Sequence, residues 1–295
     1  MFFILTMNTH TLFSNNRTLE ESVTTNFNRL NFNAGLFPIF LLLLISFFLF
    51  IENAFSAQSY AQIQKDLFLS LNSQLSTFPQ LQLNLTQLGD VLIFLPFLTL
   101  FIVSAPKFWQ SLLTALLFSG IISILLKKLF SVPRPAAMFD NNTFVIIGER
   151  LSGSTSLPSG HSIAAFTILT LIFFGFSPKT TKLKIAWLFF ILMSGIIIAL
   201  TRVGVGAHYP LDVIIGGVLG YISAILGVFL NRQFLLWGCI KKTVYYPVFI
   251  FLLAVWAIIL INKIIALNLM IFYFSLAFLL ITLFVITRIY VKQQS

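Results

Sequence analysis

The sequence predicts an all-α, polytopic membrane helix bundle, and three observations predict it. The 295-residue chain is 58% hydrophobic and only 9% charged, with 35 phenylalanines, whereas an ordinary soluble domain carries about 25% charged residues. Apolar runs of the length a helix needs to cross ~30 Å of hydrocarbon recur along it. The charges are also sorted: with the N-terminus in the cytoplasm, eleven of the 18 Lys and Arg fall on the cytoplasmic side, and six of the eight acids fall opposite. That bias follows the positive-inside rule.

Residues 1–34 are polar, rich in Asn and Thr, and begin with the short apolar stretch MFFILTM. That stretch is too short for a signal-peptide core, so a loosely ordered tail is expected, with His10 functionally silent. Eight spans follow, at 35–51, 88–105, 109–126, 161–177, 185–201, 211–230, 243–261 and 265–287. The first belongs to a unit, 35–87, whose stretch FSAQSYAQIQKDLFLSLN (55–72) sets apolar residues at helical spacing. The pattern fits a helix lying in the membrane interface, or an outer loop with some helix. Residues 88–230 hold five spans and form the expected core. Residues 231–295 add a tight helical hairpin that turns at Asn262-Lys263, and eight spans return both termini to the cytoplasm.

Composition also excludes. The single cysteine, Cys239, rules out an intramolecular disulfide framework and an all-cysteine metal site. The net charge of +10 is dispersed without a dense patch, so nucleic acid is not an expected partner. No metal-ligand set and no cofactor motif is visible. The oligomeric state is left open.

Three polar clusters break the apolar pattern. The third span ends in KKLFSVPRP (127–135), the fourth begins in PSGH (158–161), and TRVGVGAHYPLD (201–212) joins the fifth to the sixth. All three fall on the outer face, where convergent polar groups are better explained as a site than as separate anchors. The chemistry suits phosphate. Lys127, Arg134 and Arg202 bring permanent positive charge, and the arginine fork matches phosphate oxygens. Ser159-Gly160-His161 opens a helix, where free N–H groups and the positive dipole end attract anions. His208 precedes Asp212 by four residues, with Pro210 favouring a helix start between them. That spacing lets the carboxylate take a hydrogen bond from one ring nitrogen and leaves the other free to attack. His161 remains as an acid for the departing oxygen.

Lys127-x6-Arg134-Pro135, Pro158-Ser159-Gly160-His161 and Arg202-x5-His208-x3-Asp212 resemble the tripartite signature of the type 2 phosphatidic acid phosphatase superfamily. The resemblance covers roughly residues 88–230 and departs at Thr201, where the family usually has serine and the hydroxyl is kept. It implies a six-helix catalytic core and metal-independent hydrolysis through a phosphohistidine. It also implies His208 as nucleophile, Asp212 as its orienting partner and His161 as acid. Lys127, Arg134, Ser159, Gly160 and Arg202 would hold the phosphoryl oxygens. The last two spans exceed the minimal core; a lid, an interface and a substrate-selecting wall are all open roles for them.

The expected function is hydrolysis of a lipid phosphate at the periplasmic or outer face of a bacterial inner membrane. The substrates open to it are undecaprenyl pyrophosphate, phosphatidylglycerophosphate, phosphatidic acid and a lipid A phosphate. Residues 136–156, with Asp140, Glu149 and Arg150, are either a headgroup selector or a solvated loop. Transfer of the phosphate to another acceptor uses the same residues. A vanadate haloperoxidase-like oxidant shares the cradle but not the eight spans. A non-catalytic transporter or scaffold would show broken or charged helices at mid-membrane depth, whereas these clusters lie at helix ends.

Overall fold

The computed structural model describes residues 9–234 and 236–294, and no β-strand occurs among them. The apolar start MFFILTM and the side chain of His10 lie outside the described residues. The main helices are α1 (Thr9–Asn28), α2 (Leu36–Ile51), α3 (Ala57–Gln62), α4 (Lys65–Leu75), α5 (Pro79–Thr86), α6 (Pro106–Phe130) and α7 (Gly160–Gly175). They continue as α8 (Thr181–Gly204), α9 (Pro210–Gln233), α10 (Tyr246–Leu267) and α11 (Met270–Gln294). By length and composition, the stretches containing α2, α6, α8, α9, α10 and α11 are six candidate membrane spans. The protein is an integral-membrane helix bundle.

Two of the eight expected spans take another form. The one expected at 88–105 is a bent pair, Pro79–Gly89 and Val91–Leu98, turned by 89°. Asp90 makes the break. Its backbone is extended (φ −85°, ψ 121°), and its carboxylate accepts the Leu92 N–H at 2.9 Å, restarting the helix as an N-cap does. The one expected at 161–177 is α7, only 16 residues, or about 24 Å. Neighbouring helices bury most of α7, so it has little lipid to match.

The N-terminal stretch is a docked helix rather than a loose tail. Val23 and Phe27 of α1 are fully buried. Glu20 accepts the Lys107 N–H at 2.9 Å at the start of α6 and pairs with Lys241 at 2.8 Å. Asn26 donates to the Gly175 carbonyl at the end of α7 at 3.0 Å. Helix ends leave backbone groups without intrahelical partners, and α1 supplies several. Its polarity, which reads as disorder, is what this role uses.

The hairpin turns at Asn268, in the left-handed conformation at φ 46°, and not at Asn262-Lys263, which lie inside α10. Asparagine suits a left-handed C-cap, while Lys263 is drawn to Asp90, 3.2 Å away. The hairpin packs on the bent pair and repairs its backbone. Pro96 has no N–H to offer the Leu92 carbonyl, and Trp256 Nε1 donates to it at 2.9 Å. Ser275 donates to the Ile93 carbonyl at 3.0 Å.

Helix α9 runs through the centre, and glycines set how closely it is approached. A Cβ at Gly216 would sit 2.8 Å from the Ser159 carbonyl, and one at Gly220 2.5 Å from the Ile163 carbonyl. Two helices touch backbone to backbone only across such small residues. Gly220→Val therefore forces α7 and α9 apart and lowers the melting temperature in detergent, at a cost of about 1–3 kcal/mol. Gly120 of α6 has nothing within 4 Å of its Cβ position, so Gly120→Ala leaves the melting temperature where it was. Equal melting of the two variants would refute this account of the packing.

Candidate functional site

Four helix ends and two loops meet at one end of the bundle. Lys127 stands in the last turn of α6, which Ser131 stops in the left-handed conformation at φ 46°. The chain then passes through Arg134, whose N–H donates to the Gly153 carbonyl at 2.8 Å. Gly160 faces Lys127: a Cβ there would lie 3.5 Å from Lys127 Nζ and 3.3 Å from Ser123 Oγ. Ser159 caps α7, its hydroxyl oxygen accepting from Ser162 Oγ at 3.0 Å. Its own N–H donates to the Asp212 carbonyl at 3.1 Å, which ties the start of α7 to the start of α9.

His208 is buried, 1% exposed, in the turn between α8 and α9. Its Nδ1 lies 3.4 Å from Asp212 Oδ2, and its Nε2 lies 3.4 Å from Arg134 Nη1. Arg134 is held by donating from Nε to Thr155 Oγ1 at 3.2 Å and from Nη1 to the Ala207 carbonyl at 3.2 Å. Arg202, in the last turn of α8, donates from Nη1 to Thr86 Oγ1 at 2.6 Å. Its carbonyl accepts the N–H of His208 at 3.2 Å. His161 packs its ring on Gly89, where a Cβ would fall 2.5 Å from His161 Cβ. Arg202, His208, Lys127 and Arg134 are its electrostatic neighbours. All eight residues singled out in the sequence thus come together at one end of the bundle.

Asp212 is fully buried and its oxygens are saturated. Oδ2 accepts from Ser156 Oγ at 2.6 Å and from the Tyr209 N–H at 2.9 Å, and Oδ1 accepts from Tyr60 Oη at 2.9 Å. Burial pushes the His208 imidazole well below its ordinary range, and Arg134, Arg202 and Lys127 push it further. A positive ring among three cations is disfavoured twice over, so the neutral ring prevails at neutral pH. With its proton on Nδ1, facing Asp212, the ring keeps the Nε2 lone pair toward Arg134.

Several contacts at the recess were not legible in the motifs. Tyr60 and Ser156 bond Asp212, Thr155 holds Arg134, Thr86 holds Arg202, and Gly89 backs His161. Tyr60 comes from the amphipathic outer segment, which splits into α3 and α4 and turns Tyr60, Ala61, Phe68 and Asn72 inward. The loop 136–156 reaches the site at both ends: the Ala137 and Met138 N–H groups donate to the Arg134 carbonyl at 2.9 and 3.1 Å, and Gly153, Thr155 and Ser156 bond Arg134 and Asp212 near the other end. Its middle is fastened by Asn72, which donates to the Val145 carbonyl at 3.0 Å and accepts the Val145 N–H at 2.8 Å.

Residues 108–234 match the model of the PAP2 superfamily. Lipid A 1-phosphatase of Rhizobium etli is 35% identical over 112 residues, which are 37% of this chain and 44% of that one. The chain thus spans less than half the length of that relative. Undecaprenyl-diphosphatase of Sulfolobus acidocaldarius is 31% identical over 185 residues, 60% of this chain and 81% of that one. The crystal structure of Aquifex aeolicus LpxE aligns with a TM-score of 0.47 at 24% identity, covering 57% of this chain and 95% of that one. The three motif segments lie within the family match, and a relative 31% identical is covered over 81% of its length: the chain belongs to the PAP2 superfamily.

Proposed function

We propose that the protein is an integral-membrane lipid phosphatase that removes a terminal phosphate through a phosphohistidine on His208. One observation carries the reading: a buried imidazole stands between a carboxylate and an arginine, 3.4 Å from each, with Lys127 and Arg202 as further electrostatic neighbours. The cations bind the phosphoryl oxygens together with the N–H groups at the start of α7. His208 Nε2 attacks phosphorus in line, an N–P bond forms, and the P–O bond to the lipid breaks. His161, which takes up a proton as the negative charge of the phosphate arrives beside it, passes that proton to the departing oxygen. Water then attacks phosphorus, His161 takes a proton from it, the N–P bond breaks and inorganic phosphate leaves. Asp212 holds the ring and balances the charge it acquires. Lys127, Arg134 and Arg202 stabilise the charge spread over the equatorial oxygens.

The catalytic membrane core is residues 88–230, facing the periplasm or outside of a bacterial inner membrane. The excess of Lys and Arg on the other face supports that orientation. A polyprenyl diphosphate leads the substrates, since the relative covered over 81% of its length bears an undecaprenyl-diphosphatase name. A lipid A phosphate follows on the Rhizobium relative, then phosphatidylglycerophosphate and phosphatidic acid. Phosphate release from these four lipids in detergent micelles ranks them.

His208→Ala lowers phosphate release by more than about 10³-fold while the protein still inserts and purifies; substantial residual turnover would remove His208 from the mechanism. Chelation with EDTA leaves the rate within about twofold, because side-chain cations carry the phosphate charge; a strict divalent requirement would overturn the scheme. The attacking ring must be neutral, and its pKa is lowered by burial and neighbouring cations. Activity is therefore kept as pH falls through the ordinary imidazole value of about 6.5 and is lost only below it. An acid limb of kcat/KM at or above that value would contradict the assignment.

A further inference from the structure

We infer that the outer segment α3–α4 is a wall of the active site and that Tyr60 is a positioning residue for the Asp212–His208 pair. The inference rests on the reading of His208 as nucleophile and extends the working site beyond the core into the preceding unit. An interfacial helix lies with its apolar face in lipid; this segment instead spends that face on the protein. Tyr60 is 3% exposed and Phe68 is fully buried. Phe68 meets Tyr209, the residue between His208 and Pro210, edge to face at 5.8 Å.

Two side chains one helical turn apart grip the start of α9. Tyr60 Oη donates to Asp212 Oδ1 at 2.9 Å. Gln64, 4% exposed, accepts the Leu211 N–H at 2.7 Å and donates to the Tyr60 carbonyl at 2.8 Å. The Leu211 N–H is one of those at a helix start that the helix itself leaves without a partner. Asp212 has one oxygen, Oδ2, toward His208, Ser156 and the Tyr209 N–H. Tyr60 takes the other, so the carboxylate plane is fixed at both ends. Without that bond the carboxylate is free to swing about its χ2 and to let His208 turn away from the line of attack. The tyrosine hydroxyl also favours the charged carboxylate, since a hydrogen bond donated to the charged form stabilises it.

The test compares wild type, Tyr60→Phe and His208→Ala on one lipid phosphate in detergent micelles, with kcat, KM, the pH profile and the melting temperature measured for each. Tyr60→Phe removes one oxygen and keeps the ring packed. It lowers kcat roughly tenfold with KM little changed, as expected for losing a hydrogen bond to a charged group. It also moves the acid limb of kcat to higher pH, because the coupled His208–Asp212 pair takes up a proton more readily once the carboxylate has lost its donor. A merely structural tyrosine would lower the melting temperature and leave the acid limb where it was. Unchanged kcat, a change in KM alone, or an unmoved acid limb overturns the inference. If His208→Ala keeps turning over, the nucleophile assignment fails instead, and the two failures are told apart by which variant stays active.

Discussion

Lys127, Arg134 and Arg202 share their recess with a single carboxylate, Asp212, and that imbalance of buried charge constrains everything around it. Arg134 and Arg202 are only 9% and 6% exposed. Ions taken out of water lose several kcal/mol of solvation each unless partners replace it. The chain replaces it with helix ends. Lys127 and Arg202 stand in the last turns of α6 and α8, where carbonyls point outward and the dipole is negative. Helices α7 and α9 start at the same place with the opposite polarity, and α9 carries Asp212 in its first turn. Neutral acceptors add to this: the Ala207 carbonyl, Thr155 and Thr86 each take a guanidinium N–H, while Arg202 Nε has no partner among the described residues. These groups orient the cations without cancelling their charge, which is what the proposed binding of a phosphate dianion needs.

The same charge imbalance sets the state of the imidazole. His208 would gain a proton in water near neutral pH, but here burial and three cations oppose it. One carboxylate already saturated by Tyr60, Ser156 and the Tyr209 N–H does not reverse that balance. In the proposed mechanism, a bound phosphate would bring negative charge beside the ring and make the positive ring of a phosphohistidine tolerable. On that proposal the ring would be a free base before substrate arrives and a stabilised cation once phosphorus is attached.

What the sequence made legible follows from which physics is local. Long apolar runs announce spans because hydrocarbon thickness demands a number of consecutive residues, and α2, α6, α8 and α9 fall close to their expected bounds. Hydropathy averages over a break, so the turn at Gly89-Asp90 was invisible, as was the shift of the hairpin turn to Asn268. A charge such as Lys263 reads as a loop residue when its partner, Asp90, is 173 positions away. The motif residues of the site were legible because phosphate chemistry restricts residue type at fixed spacing. Tyr60, Thr86 and Gly89 were not, since each acts through one contact to a distant segment and belongs to no repeating pattern.

The glycines of α9 link packing to chemistry. The Ser159 N–H reaches the Asp212 carbonyl at 3.1 Å only because Gly216 lets the Ser159 carbonyl lie 2.8 Å from where a Cβ would be. Slipping α7 by one turn against α9 would move it about 5.4 Å. That slip would break the bond and carry Ser159, Gly160 and His161 away from Arg134 and His208. Gly220 guards the register one turn further along, against the Ile163 carbonyl. The proposed anion cradle belongs to α7 and the proposed nucleophile to the approach of α9, so neither helix alone holds the candidate site. Backbone contact between them is what makes the two halves one, and it exists only where α9 has no side chains to keep them apart.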